Sequence, residues 1–444
     1  MKESPKKEVL CFLALKGIIS IPNHPMIRYI AKPENHFRRL LVKDSTLIKR
    51  IKNFLSVYFI LILLNLDIVY GQTIKRLDGS KISVDSLSAK IQYLMTEAKV
   101  AGLAISIFNK NKPVFKQTFG LADVQRKKIL QPSSVMYGAS LSKVVFAYIV
   151  MQMVQEQIIE LDRPLITYLK KPLPDYPIKD FMRGYRDLKE DKRYEKITAR
   201  MCLTHTTGLP NWRWLEDDKK LKINFEPGTR YSYSGEGLYL LQFVIEQFLS
   251  KDYESISQER VFKPLHMSNT SQVWQARFNT NICYGHDANG QPYQIMKWRE
   301  SNASGSMSTT LDDFTRFYTA LISHKGLSKR NFNLMTTRQI RIKSKKQFGT
   351  QAQIESMDND NIMLGYGLGV GTFTTPYGRA FFKEGHDEGW GHYSICFPDK
   401  KIALVIMTNN DNGESIFKEL LEYAIGDTFT PWYWENYIPY KKVN

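Results

Sequence analysis

The chain has 444 residues, enough for one large domain or two modest ones. Its 43% apolar and 12% aromatic content supports a packed core and excludes general disorder. The formal net charge of +18 is diffuse: residues 1–71 carry 12 Lys/Arg against 5 Asp/Glu and the remainder 50 against 39. No dense basic run is interleaved with aromatics and no glycine loop could cradle phosphate, so nucleic acid is not an expected partner.

The front of the chain reads as a leader, 1–71. Residues 54–66, FLSVYFILILLNL, form a run of 13 without charge, preceded by Lys49, Arg50 and Lys52 and followed by Gly71-Gln72. A basic segment, an apolar segment and a small residue near the cut make the layout of a secretory signal. The run is short of the about 20 residues a membrane span needs. Export to the periplasm or the outside is therefore expected, with a mature start near Gln72, or else retention at the membrane by 54–66. Signals begin near a terminus, which fits a start at 43–47 better than one at Met1. The basic surface suits proximity to anionic lipid or cell wall.

Further along, Leu87, Ile91 and Leu94 share one face of a predicted helix over 84–98. Apolar runs at 101–108 and 113–119, separated by Asn109-Lys110-Asn111-Lys112, predict a β-hairpin. Residues 140–157 are apolar on every helical face, as in a buried helix. The charged, Tyr-rich stretch 174–196 lacks a period and reads as an excursion over the surface. A second apolar helix is expected at 236–249, strands at 381–382, 393–397 and 402–408, and a closing helix at 415–425. Strands at both ends around a helical middle predict an α+β fold, an antiparallel sheet flanked by helices with a mostly helical region inserted. The folded domain is expected over 76–430, with a tail at 431–444.

The four cysteines, Cys11, Cys202, Cys283 and Cys396, are too dispersed for a metal cluster or a disulfide framework, though one disulfide stays open. Cys202 and Cys396 lie in apolar runs and are expected as small buried hydrophobes.

Three short elements carry chemistry. Ser140-Leu141-Ser142-Lys143 is an S-x-x-K motif at the start of the buried helix. Positions i and i+3 share a helical face, so the amine can reach the hydroxyl. A lysine in an apolar setting loses hydration and its pKa falls, as an amine base requires. The bland reading, an N-cap serine followed by a snorkelling lysine, has equal standing on this motif alone. Ser4-Pro5-Lys6-Lys7 matches the same pattern by chance. The second element is Tyr231-Ser232-Tyr233-Ser234-Gly235, whose Tyr233 phenol could shuttle protons or be an ordinary half-buried aromatic. The third, Lys383-Glu384-Gly385, could offer a cation on a strand whose glycine lets substrate lie against the edge.

In this order the three elements resemble the serine β-lactamase and penicillin-binding-protein superfamily. The chain is most similar to the branch holding class C β-lactamases, D,D-peptidases, D-aminopeptidases and related esterases. The resemblance spans roughly 84–425. Leu203-Thr204-His205-Thr206-Thr207-Gly208-Leu209-Pro210 is similar to the family's LLTHTSGLP segment. Ala303-Ser304-Gly305-Ser306-Met307-Ser308-Thr309-Thr310, with Asp313 and Phe317, is similar to its GG-x-x-ST segment. Gly365-Tyr366-Gly367-Leu368-Gly369 is similar to its GYGLGW strand.

The resemblance implies Ser140 as nucleophile, Lys143 as its proton partner, Tyr233 as general acid or base, and Lys383 and Gly385 at the substrate. The backbone N–H groups of Ser140 and His386 would form the oxyanion hole. No metal or cofactor is implied, and His205, His386 and His392 are expected to have structural side chains. The substrate would be a small molecule or peptide held by an ester, amide or peptide bond. A catalytically weak relative that binds cell-wall peptides is the alternative. Two departures bear on specificity. Gly235 stands where the family's Y-x-N element has Asn, and Glu384 stands where K-T-G has Thr and can pair with Lys383. Esterase activity with poor nitrocefin turnover is therefore expected, and Gly235→Asn is expected to improve lactam acylation. Loops at 173–196, 211–225 and 270–300 are expected to shape the pocket.

Overall fold

The computed structural model describes residues 73–177 and 184–441. The leader, with its apolar run at 54–66, lies outside these residues. Among the described residues no helix is long and apolar enough to cross a membrane.

Two short strands, β1 (Thr73–Lys75) and β2 (Lys81–Ser83), pair and lead into α1 (Val84–Ala98). Ser83 caps this helix, its side chain accepting from the Ser86 N–H, and Asp85 complements the positive end of the dipole. Lys99 closes the helix at φ 56°. The buried face holds Leu87, Ile91 and Leu94, as the period predicts, joined by Met95 and Ala98.

The hairpin follows as β3 (Gly102–Asn109) and β4 (Lys112–Asp123). Its turn residues Lys110 and Asn111 both have positive φ, 53° and 61°, the primed geometry that matches the twist of the two strands. Next in the chain come β5 (Lys128–Ile129), β6 (Met136–Tyr137), α2 (Leu141–Gln155), α3 (Ala199–Leu203), α4 (Gly235–Leu249) and α5 (Tyr253–Ser257). After these lie β7 (Ser308–Thr309), α6 (Leu311–Ile322) and α7 (Lys329–Thr336). The last part returns to strands, β8 (Ile340–Arg341), β9 (Gly365–Tyr366), β10 (Gly371–Thr375), β11 (Gly378–Asp387), β12 (Trp390–Phe397) and β13 (Ile402–Thr408), and ends on α8 (Phe417–Ile425).

Nine strands form one sheet in the order β5-β4-β3-β13-β12-β11-β10-β9-β8, with antiparallel neighbours. Strand β13 pairs with β3, Ile402 opposite Asn109, so the two ends of the chain close the sheet around a mostly helical insertion. Both faces are covered. Ala403, Val405 and Met407 point into one core with α2, while Ile402, Leu404 and Ile406 point into another with α1 and α8. That is why β13 is apolar without alternation. Each such fully buried side chain contributes roughly 1.5–3 kcal/mol.

Two segments pack more tightly than their sequence suggests. The stretch expected to run over the surface, 174–196, buries Tyr185, Leu188 and Tyr194 in its described part. The Tyr176 and Tyr185 rings meet Phe243 of α4 at 5.2 and 5.0 Å. Side chains that enter a core singly from short turns leave no period to read. The described part of the tail, 431–441, is anchored by Trp432 and by Trp434, which is 0% exposed and whose carbonyl accepts from the Gln347 N–H at 2.8 Å. Cys202, Cys283 and Cys396 are buried free thiols, and Cys11 lies outside the described residues.

Candidate active site

Ser140 sits on a tight turn between β6 and α2. The Gly138 N–H donates to Met307 O at 2.7 Å and Ala139 is held at φ 43°, a conformation that non-glycine residues rarely adopt. Such strain persists only where surrounding structure enforces it, and here it immediately precedes Ser140. Ser142 fastens the same turn, donating from Oγ to Ala139 O (2.7 Å) and accepting from the Met307 N–H (3.2 Å). Ser140 makes no side-chain cap bond to its own helix. Its Oγ accepts instead from Lys143 Nζ at 2.9 Å and from the Tyr233 hydroxyl at 3.3 Å. Lys143 is 1% exposed, so it does not snorkel, and its second bond is to Ser304 O at 2.6 Å. The capping reading of S-x-x-K therefore falls on both counts.

Burial pushes the Lys143 amine well below the usual lysine pKa, and the nearby Lys383 charge pushes it further the same way. In its neutral form the amine, 2.9 Å from the hydroxyl, is positioned to take its proton. Tyr233 behaves in the opposite way. Burial raises its phenol, with Lys383 opposing, and the net shift is upward. The resting group is thus a phenol that donates, not a phenolate. His205 stacks on the Tyr233 ring at 4.4 Å, and its Nδ1 accepts from the Ser234 N–H at 3.1 Å. Burial first, then the neighbouring amines of Lys143 and Lys383, push this histidine well below the usual imidazole range. It supports the tyrosine and does not reach Ser140.

Strand β11 brings the third element alongside. A Cβ on Gly385 would sit 3.2 Å from the Leu141 nitrogen and 3.3 Å from Gly138 O, so the strand passes directly against the serine turn. The Ser140 N–H has no acceptor among the described residues. The His386 side chain turns away, 66% exposed, to Glu414 Oε1 at 3.1 Å, which raises its pKa. His392 is buried, pushed down to about 4 by desolvation, with Nε2 2.7 Å from Tyr137 O behind the same turn. Lys383 Nζ donates to the Tyr233 hydroxyl (3.2 Å) and to Glu384 Oε1 (2.6 Å), so the pairing expected from Glu384 is made. Gln347 Nε2 donates to the same carboxylate oxygen at 2.8 Å. Burial works against the Lys383 charge, yet Glu384 and Tyr233 hold its pKa above the ordinary value.

Five of the six residues singled out in the sequence, Ser140, Lys143, Tyr233, Lys383 and Gly385, thus meet, and His386 follows Gly385 on the strand with its side chain turned away. Sequence reasoning missed the Ser304 carbonyl and Trp212. Gly235 begins α4, and a Cβ there would lie 2.6 Å from both Cη2 and Cζ3 of Trp212. The space of the absent Asn is filled by an indole whose ring centre is 5.9 Å from Lys143 Nζ. The position that Gly235→Asn would fill is therefore not vacant. The glycine itself was the available signal. Among the described residues no three His, Cys, Asp or Glu gather as metal ligands.

Comparison with known proteins fits this geometry. The Beta-lactamase family model matches residues 87–425. A penicillin-binding protein of Bacillus subtilis (strain 168) is 23% identical over 352 residues, 70% of this chain and 68% of that one. A D-aminopeptidase of Brucella anthropi is 25% identical over 197 residues, 44% of this chain but only 37% of the aminopeptidase. Among solved structures, the octameric penicillin-binding protein homologue from Pyrococcus abyssi superposes with TM-score 0.59 at 19% identity, over 74% of each chain. D-alanine carboxypeptidase AmpC from Burkholderia cenocepacia gives 0.58 at 17% identity, covering 74% of this chain and 93% of the other. With the family model matched over most of its length and the fold shared with both structures, the chain belongs to the serine β-lactamase and penicillin-binding-protein superfamily.

Proposed function

We propose that the chain is a serine hydrolase that forms an acyl-enzyme at Ser140 on small esters, amides or peptides. Lys143 takes the hydroxyl proton as Oγ attacks the carbonyl carbon. The carbonyl electron pair moves to oxygen, and the N–H groups of Ser140 and His386 hold the oxyanion. The Tyr233 phenol gives its proton to the departing alcohol or amine and regains one from Lys143. Water then attacks the acyl-enzyme along the same route, releasing the acid and restoring the serine hydroxyl.

The observation that carries this reading is the uncapped Ser140 Oγ within hydrogen-bonding distance of both Lys143 Nζ and the Tyr233 hydroxyl. The named relatives make amides of D-amino acids candidate substrates. The Lys383–Glu384 pair argues for uncharged esters over substrates that end in a carboxylate, because the cation is already engaged. Poor turnover of β-lactams follows from the same pair and from the missing Asn amide. The basic leader and the apolar run at 54–66 support export, or retention at the membrane.

A fluorophosphonate label should modify the wild type and not Ser140→Ala, which keeps its fold because it loses one oxygen that caps no helix, at a residue that is only partly buried. Labelling of Ser140→Ala at the wild-type rate would place the nucleophile elsewhere. A wild type that takes labelled penicillin but turns over no ester, amide or peptide would be a binder instead.

A further inference from the structure

The start of α4 carries a device that the acyl-transfer chemistry does not require. Gly235 has no positive φ, so its backbone does not call for glycine. What calls for glycine is the indole of Trp212, two of whose carbons lie 2.6 Å from where a Cβ would stand. The indole is fixed from several directions. Trp214 stacks on it at 4.7 Å with the planes 11° apart, and Tyr239 meets it edge-on at 5.9 Å. The next residue, Arg213, is buried and grips the Glu236 carboxylate through Nε and Nη2, both at 2.8 Å. Asn211 Oδ1 accepts from the Gly235 N–H at 3.1 Å. A second aromatic, Phe348, meets the Tyr233 ring at 5.2 Å and is 38% exposed. Two rings on separate loops therefore stand one side chain away from Ser140, one beside Lys143 and one against Tyr233. The only cation on the neighbouring strand segment Lys383-Glu384-Gly385 is engaged by a carboxylate.

We propose that Trp212, seated in the space left by Gly235, determines specificity, and that the site takes uncharged acyl donors whose acyl group is flat and apolar. The inference rests on the acyl-enzyme reading above. An indole face offers dispersion and ring stacking to such a group and nothing to an anionic one.

The test is a series of p-nitrophenyl esters with one leaving group: acetate, butyrate, phenylacetate and the monoester of succinate, on the full chain. Wild-type kcat/KM should rise about tenfold or more from acetate to phenylacetate, the scale of filling an apolar subsite, with the succinate ester at or below acetate. Trp212→Ala should erase most of that rise through KM, and Trp212→Phe should keep it. A flat wild-type series, a preference for succinate, or equal losses on acetate and phenylacetate in Trp212→Ala would each overturn the proposal. Should the alanine variant not fold, Trp212→Leu, which keeps apolar bulk without a flat ring, decides the matter: loss of the rise supports the proposal and an unchanged rise overturns it. Absence of turnover on every ester, with no fluorophosphonate on Ser140, would defeat the acyl-enzyme reading itself, whereas turnover without preference defeats only the role of Trp212.

Discussion

Two lysines share one tyrosine, and their pKa values are driven in opposite directions from the ordinary lysine value. Lys143 and Lys383 are each 1% exposed, and each Nζ lies 5.1 Å from the centre of the Tyr233 ring. Lys143 bonds a hydroxyl and a backbone carbonyl, and its pKa is driven well below the lysine range, burial first and the Lys383 charge second. Lys383 is equally removed from water but bonds a carboxylate, and its pKa rises. Burial alone therefore does not decide which way a buried amine shifts. The partner does. The nucleophile side of the site withholds a counter-ion and gains a base, while the strand side supplies one and keeps a cation.

The largest effect that would sharpen this contrast is kinetic. Lys143→Ala should slow acylation of an activated ester by about 10²–10⁴-fold, the usual contribution of a positioned base. In the wild type, kcat/KM should climb with pH through the lowered Lys143 pKa and level off well below the ordinary lysine value of 10.5. A limb that rises only near 10.5 would break the comparison, since it would make Lys143 an ordinary ammonium.

Stability should separate the two lysines with opposite signs. Lys383→Met leaves Glu384 without its cation and should cost about 3–5 kcal/mol in denaturant melts at neutral pH, with much of the loss recovered by adding Glu384→Gln. Lys143→Met removes a buried amine that has no carboxylate partner, and should raise stability by about 1 kcal/mol while slowing acylation as Lys143→Ala does. The pH dependences follow from linkage. The depressed folded pKa of Lys143 means that unfolding takes up a proton, so its penalty fades as pH rises from that value to 10.5. The raised pKa of Lys383 means that its contribution is present below 10.5 and is lost as pH passes its folded value. Destabilisation by both substitutions would show that the two environments are not distinct.

The contrast was half legible in the sequence. The hairpin at 101–119 and the all-round apolar helix after Ser140 follow from period and turn residues, because their contacts are local. Spacing alone joined Ser140 to Lys143, since i and i+3 meet on any helix. Tyr233, Lys383 and Gly385 came from resemblance, because a tyrosine in a loop and a lysine on a strand find each other only through the fold. The burial of Tyr185 and Trp434 was not legible, as single aromatics entering a core carry no period. Nor was Trp212: it meets a helix start 23 positions further on in the sequence, and the trace it leaves there is the absence of a side chain.

That absence yields the smallest and most discriminating prediction. On sequence grounds Gly235→Asn should restore the amide that clamps a lactam. In the structure its Cβ would fall 2.6 Å from the Trp212 ring and 2.8 Å from Asn211 O. The indole is held by Trp214, Tyr239 and the Arg213–Glu236 pair, so it cannot step aside at no cost. Overpacking of this kind costs about 1–3 kcal/mol, and the new amide would be displaced from the site with the loop. Gly235→Asn alone should therefore lower stability and leave nitrocefin acylation at the wild-type level. Trp212→Ala/Gly235→Asn opens the space for the amide, and one added hydrogen bond to a strongly polar group should then raise nitrocefin kcat/KM by roughly tenfold over Trp212→Ala, with little change on p-nitrophenyl acetate. The comparison needs all four proteins on both substrates. A tenfold gain from Gly235→Asn by itself would mean that Trp212 yields freely, and that the aromatic wall beside Lys143 is no more than a filler.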